Sequence, residues 1–420
     1  MDRVKIALLG VGSRGLAYGL YYLHNMDKVE VAGVADPDEN KLNFCRQYGI
    51  TNCYTSWEDF LEEDVMADVL IICTPDYMHV EPAKRAIQKG YNIIIEKPLS
   101  PKPEECIELG EIAKDYNKIF LVAHVLRYTA MYQTMKRILD EGKIGELVTV
   151  EHSEYVERIH QSHSFVRGNW RRSDETAPMI LTKSCHDMDI IAWLVGDRCR
   201  SLSSYGSLSY FKESHAPEGA PAYCLDGCPA AETCPYYSVK VYVEDEEMDW
   251  WRTISQDESK EARLKALEGS PYGRCVFHCD NDVVDHQVVN MEFDNDVTAV
   301  FTMTAFSKGG RHTKLMGTHG EIEGTMGWNG SEQYVKVFNF LTGKEERIEF
   351  SATDDAHGGG DFGLMDTVVD MIRNQKIKGE TSVEDSVHSH MMAFAAEEAR
   401  VKGETVAVSD FEARIKNAME

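Results

Sequence analysis

Nowhere in the 420 residues does an apolar run approach the length needed to cross a bilayer. Internal repeats and low-complexity tracts are also missing, which removes solenoid and disordered-tail readings. Positive charge is short: 44 Lys and Arg stand against 70 Asp and Glu, a formal net charge of -26, and no basic cluster interrupts it. Such a field repels a phosphate backbone, so nucleic acid is not an expected partner. Cysteine is too sparse for a disulfide scaffold, with eleven in a chain this long, six of them scattered singly through apolar or helical segments. The opening MDRVKIALLG has basic residues and an apolar run, but the run meets a Gly-rich turn after six residues, too short for a signal-peptide core. It reads as a first strand, and the expected address is the cytoplasm.

What is present is a hydrophobic content of 43% and enough length for two or three domains. From residue 4 to about 123, short β-branched runs alternate with amphipathic stretches, the pattern of βαβ units and a parallel sheet. Strands are expected at 4–9, 29–35, 69–73, 92–95 and 119–123, with helices near 14–25, 38–48, 79–89 and 102–116. This predicts an α/β fold whose doubly wound N-terminal Rossmann domain spans 1–123. From 124 to 420 the runs at 147–155, 286–293 and 297–305 alternate like strands covered on one face, predicting an α+β domain with an open, mainly antiparallel sheet. A segment rich in Cys, Pro, Tyr and acidic residues, about 207–279, fits neither pattern and reads as an insertion. A helix is expected over 381–402, opened by Ser382.

Gly10-Val11-Gly12-Ser13-Arg14-Gly15 follows the first strand and opens a helix, the context that a dinucleotide fingerprint demands. Its glycines allow a tight turn and close backbone approach to a pyrophosphate at the helix N-terminus. Asp36 ends the second strand, where a carboxylate accepts ribose hydroxyls and repels a 2'-phosphate, so NAD is expected over NADP. Arg14 complicates this, since its guanidinium suits a phosphate or an adenine face. Thr74-Pro75, His79 and Glu96-Lys97-Pro98 lie at or beyond later strand ends, where ligands bind in such sheets, and Lys97 there would face the nicotinamide.

With Asp36, Thr74-Pro75, Glu96-Lys97-Pro98, His124 to Tyr128, Asn169-Trp170-Arg171 and Ser184 to Asp189, the chain resembles the Gfo/Idh/MocA oxidoreductases along its whole length. The resemblance implies two domains, self-association through the second sheet as a homodimer or homotetramer, and action on secondary alcohols of sugars or cyclitols. It implies Lys97 as the catalytic lysine, His186 as the acid/base histidine and Asp189 as its orienting carboxylate. The family's Asp four residues before that histidine is replaced by Thr182, with Lys183 beside it. Either His186, with an ordinary pKa of about 6.5, or a Lys97 depressed by burial and by Lys183 is then available as base. Arg127, Tyr155, Trp170, Arg171, Lys183 and His357 are expected to contact substrate. His357 opens the sequence His357-Gly358-Gly359-Gly360-Asp361, which presents two polar groups to a polyol or simply caps a helix.

Two rivals accompany a dehydrogenase: a redox glycoside hydrolase or lyase that oxidises its sugar only transiently, and a non-catalytic NAD-binding regulator. Net NADH from a free polyol separates the first, and retention of Lys97 with His186 speaks against the second. In the insertion, Cys224, Cys228, Cys234 and Cys275 suggest a stapling zinc, with an iron-sulfur cluster or free buried thiols as alternatives.

Overall fold

The computed structural model describes residues 2–255, 257–328, 331–352 and 357–420. Its first sheet holds six parallel strands, β1 (Val4–Leu9), β2 (Val29–Ala35), β3 (Cys53–Tyr54), β4 (Val69–Ile72), β5 (Asn92–Ile95) and β6 (Phe120–Val122), in the order β3-β2-β1-β4-β5-β6. Strands β1, β4 and β5 are nearly unbroken runs of Val, Ile, Leu and Ala because helices cover both of their faces. Those helices are α1 (Ser13–His24), α2 (Glu39–Gln47), α3 (Trp57–Glu62), α4 (Val80–Lys89) and α5 (Pro103–Lys114). Asp38 and Ser56 cap α2 and α3, and Pro103 opens α5. Strand order reverses between β1 and β4, which opens the ligand crevice of a doubly wound sheet at their carboxyl ends.

Helix α6 (Ala130–Asp140) leads to a sheet of nine strands: β7 (Leu147–Glu157), β8 (Cys199–Ser207), β9 (His286–Phe293), β10 (Thr298–Ser307), β11 (Gly310–Gly317), β12 (Gly320–Met326), β13 (Gln333–Asn339), β14 (Lys344–Phe350) and β15 (Val406–Ala407). Their order is β14-β13-β12-β11-β7-β10-β9-β8-β15, antiparallel except for β7 beside β10. Between β7 and β8 the chain forms α7 (Arg158–His160), a π-helical stretch Gln161–Arg167, α8 (Met179–Thr182) and α9 (Cys185–Val195).

The insertion between β8 and β9 includes α10 (Lys260–Leu267) and builds its own core from Phe211, Tyr236, Tyr242, Leu267, Val276 and Phe277. That corrects the expectation of a segment needing an external staple. The chain ends with α11 (Gly360–Arg373), α12 (Val383–Lys402), capped by Ser382, and α13 (Val408–Met419). Leu364, Met365 and Val368 of α11 return to the first sheet and share a core with Ile6, Leu8 and Ile71. That return carries residue 361 to the cofactor turn.

Candidate active site

The fingerprint turn is shaped as a dinucleotide requires. Gly10 adopts φ +98°, and a Cβ on it would meet Cys73 O at 2.5 Å, while one on Gly15 would meet Gly10 O at 2.2 Å. At Gly12 nothing lies within 4 Å, so the backbone is open to close approach. Helix α1 begins at Ser13 with no side chain capping its first N-H groups, which leaves them to a phosphate. The Asp36 carboxylate accepts bonds from Val11 N (2.7 Å) and Asp38 N (2.9 Å), with Lys41 Nζ 3.3 Å away. It therefore fixes the turn. These residues fit NAD.

Several residues expected at the cofactor serve as struts. Arg14 Nε donates to Glu96 Oε1 (2.7 Å) and its Nη2 to Asp361 Oδ1 (2.5 Å), while Tyr18 OH also donates to Glu96 (2.7 Å). The guanidinium is thus held by two carboxylates and is withdrawn from any adenine face. The ring nitrogens of His79 lie 2.7 Å from Pro98 O and 2.9 Å from Thr74 O, tying together the loops after β4 and β5. Thr74 Oγ1 donates to Met78 O (3.1 Å), which shapes its own loop. The Lys97–Pro98 peptide is cis.

Lys97, at the end of β5, donates from Nζ to the Thr182 carbonyl at 3.0 Å. The backbone of the position that departs from the family pattern thus receives the ammonium. One turn later His186 lies buried in the first turn of α9, its ring 5.8 Å from that of His124 and 5.9 Å from that of His357. His357 Nδ1 is 2.9 Å from Asp361 Oδ2, so the Gly-rich segment reaches both Arg14 and the ring of His186.

Beside these runs a polar chain of which sequence reasoning singled out only Lys183. Lys183 Nζ is 3.2 Å from Glu154, which is 2.6 Å from Arg311; Arg311 Nε donates to Asp187 (2.8 Å), and His152 Nε2 lies 3.0 Å from the same carboxylate. Burial pulls the Lys183 pKa down, and Arg311 with Lys97 adds to the shift. Glu154 and Arg311 are direct cross-strand partners on β7 and β11. Charged residues at alternate, inward positions of a strand were the available signal.

The structure gives several of the expected residues other partners and leaves the expected metal unsupported. Asp189 does not orient His186: both its oxygens accept from Arg127, at 2.7 and 2.6 Å, so Arg127 is also withdrawn from substrate. Tyr155 falls on the opposite face of β7 from Glu154 because side chains alternate. Trp170 Nε1 donates to Asp76 (3.1 Å), and Arg171 pairs with Asp280 of the insertion (3.1 Å). Cys224, Cys228, Cys234 and Cys275 do converge, lining one cavity of about 10 Å³ with Tyr236 and Phe277. Among the described residues, however, no three His, Cys, Asp or Glu are grouped to hold a metal ion. Burial pushes the Cys234 and Cys275 thiols up, which suits neutral packing groups, and neither zinc nor an iron-sulfur cluster is supported.

Burial holds the imidazoles of His124, His160 and His186 well below their ordinary value, and lowers His388 to about 4 and both His163 and His390 to about 3. Unfolded, each takes its proton near about 6.5. Below that pH the unfolded chain binds more protons than the folded one, so stability is complete above it and is lost as pH falls. Melting temperatures taken from roughly pH 8 to pH 4 should be level at the top and drop below about 6.5. A Tm that stays level to the acid end would reject this.

Comparison with known proteins agrees with this layout. Residues 4–124 match the model of an oxidoreductase family with an NAD-binding Rossmann fold, and residues 136–408 match the C-terminal alpha/beta domain of the same family. The chain is 25% identical over 392 residues to the protein YteT of Bacillus subtilis, covering 86% of this chain and 87% of that protein. It is 26% identical over 206 residues to levoglucosan dehydrogenase of Pseudarthrobacter phenanthrenivorans, a match that covers 47% of this chain and about half, 52%, of that relative. The solved scyllo-inositol dehydrogenase of Lactobacillus casei with NAD(H) and scyllo-inositol has a TM-score of 0.68 at 17% identity, over 97% of this chain and all of that one. With both domain models matched across nearly its full length, the chain belongs to the Gfo/Idh/MocA oxidoreductase family and carries that family's NAD-binding Rossmann fold.

Proposed function

We propose that the protein transfers hydride reversibly between NAD and a secondary hydroxyl of a sugar, glycoside or cyclitol. The observation that carries this is the placement of Lys97 Nζ, held by the Thr182 carbonyl, in the same neighbourhood as buried His186 at the strand ends of a dinucleotide fold. NAD, when bound, accepts the hydride. The hydroxyl proton goes to His186, whose imidazole burial keeps neutral and whose Nδ1 has no hydrogen-bond partner among the described residues. Lys97, as an ammonium, stabilises the developing alkoxide. Formation of NADH from a free polyol or glycoside in a screen is the test; bound NAD with no NADH from any of them would reject the reading.

Cofactor choice follows from Asp36. The wild type should bind NAD more tightly than NADP, and Asp36→Ala should narrow the gap, because Lys41 then remains to meet a 2'-phosphate. Equal affinities in wild type, measured by titration, would sink this assignment.

The residue 1–123 unit serves as the cofactor domain and the remainder as the substrate domain. The outer face of the second sheet exposes Tyr205 and Phe306, and this supports self-association there as a dimer or tetramer. All eleven cysteines are free, and among the described residues no helix is long and apolar enough to cross a membrane. The free thiols fit a reducing, cytoplasmic setting.

A further inference from the structure

The insertion sends one large ring towards the neighbourhood of Lys97 and Lys183. Trp250 opens a short 3-10 turn, and its ring centroid is 4.7 Å from that of His163. His163 is itself stacked on Tyr272 (4.6 Å, 11°), and its Nδ1 lies 2.9 Å from Tyr242 OH, within the insertion's core. Trp250 is therefore braced by rings whose own positions are fixed.

Its other ring neighbours are His160 at 5.4 Å and Trp328 at 6.4 Å. Trp328, just beyond β12, is seated against the turn joining β10 to β11, where a Cβ on Gly309 would come within 2.6 Å of the indole. His160 touches both tryptophans, and Gly309, against which Trp328 sits, lies two residues before Arg311, the cross-strand partner of Glu154. The charges of Lys183, His163, Lys97 and Arg311 bear on His160. Three rings from three separate parts of the chain thus form one wall that abuts the catalytic cluster. His160 Nδ1 and Trp250 Nε1 are buried without a hydrogen-bond partner among the described residues, so the wall offers polar contacts as well as faces. The ring neighbours of His186 are His124 and His357, and none of the wall's rings is among them.

We propose that Trp250, Trp328 and His160 form a second subsite that stacks the neighbouring ring of a glycoside, so that the preferred substrate is a sugar joined to another pyranose or to an aromatic aglycone. This rests on the oxidoreductase reading above. A pyranose presents an apolar C-H face and a hydroxyl rim, which matches rings with adjacent unpaired nitrogens.

The test uses the NAD-loaded full chain with paired ligands: glucose against cellobiose, maltose and p-nitrophenyl glucosides, and galactose against lactose and p-nitrophenyl galactosides. Tryptophan fluorescence reports binding, and NADH formation reports turnover. Two-ring ligands should quench fluorescence and bind more tightly than their parent sugars. Trp250→Ala should weaken them roughly three- to tenfold, as a KM effect with kcat nearly unchanged, and leave the parent sugar and NAD unaffected. Trp250→Phe should recover most of the loss, and retained NAD binding shows that each variant is folded. Equal losses for one-ring and two-ring ligands, or no two-ring ligand bound better than its parent, would overturn the subsite. Trp250-dependent binding of two-ring ligands with no NADH from any sugar would uphold the subsite and reject the oxidoreductase reading instead.

Discussion

Lys97→Met should bind NAD as the wild type does and turn over a responsive sugar or glycoside roughly 10² to 10⁴ times more slowly. The lysine lies outside the fingerprint turn, and its ammonium reaches the Thr182 carbonyl instead of any group that shapes Gly10 to Gly15. Losing that one bond costs about 1 kcal/mol, too little to unfold the chain, and Met keeps the length of the apolar stem. Binding and chemistry should then separate. His186→Ala should show a comparable loss, and the double variant should lose less than the product of the two, because groups serving one proton transfer are not additive. Steady-state rates, NAD titration and Tm on all three variants decide the matter. A wild-type rate from Lys97→Met would remove the lysine from catalysis.

How much of this was legible before the structure varies with the range of the interaction. The first sheet was read to within one or two residues at most ends, because buried parallel strands are continuous β-branched runs and the fingerprint punctuates them. Strand β3 was missed, being only two residues long. Strands β7, β9 and β10 alternate cleanly and were found. The hairpins β11 to β14 were not, since β11 and β12 carry glycine and charge, and β14 (KEERIEF) is an exposed edge dominated by charged residues.

The site divides in the same way. Lys97 and His186 belong to local motifs and were singled out from them as candidates. Glu154 was passed over for its neighbour Tyr155, and one step along a strand turns the side chain to the opposite face. The clamp of Arg14 on Asp361 joins residues 347 apart, and no spacing rule connects them. Asp189 was misassigned because three residues along a helix share a face with His186, a geometry that permits a contact without selecting it over Arg127.

That reassignment makes Asp189→Ala a stability variant. Arg127 is 6% exposed, and its Nε and Nη2 donate to both Asp189 oxygens while its Nη1 donates to the Glu380 carbonyl. A guanidinium cannot shed its proton, so removal of the carboxylate strands a buried charge, at a cost of about 3–5 kcal/mol. Chemical denaturation should show that loss. Asp189→Asn, which keeps an acceptor but not the charge, should fall in between. Replacing the pair together, Arg127→Met with Asp189→Leu, should recover most of the stability, because no charge is then left to desolvate. The pH profile of kcat/KM is the readout that separates this account from an orienting role. A carboxylate that tuned His186 would move the profile when removed, whereas one that only neutralises Arg127 leaves it in place. An Asp189→Ala protein of wild-type stability with a displaced profile would return Asp189 to the catalytic group.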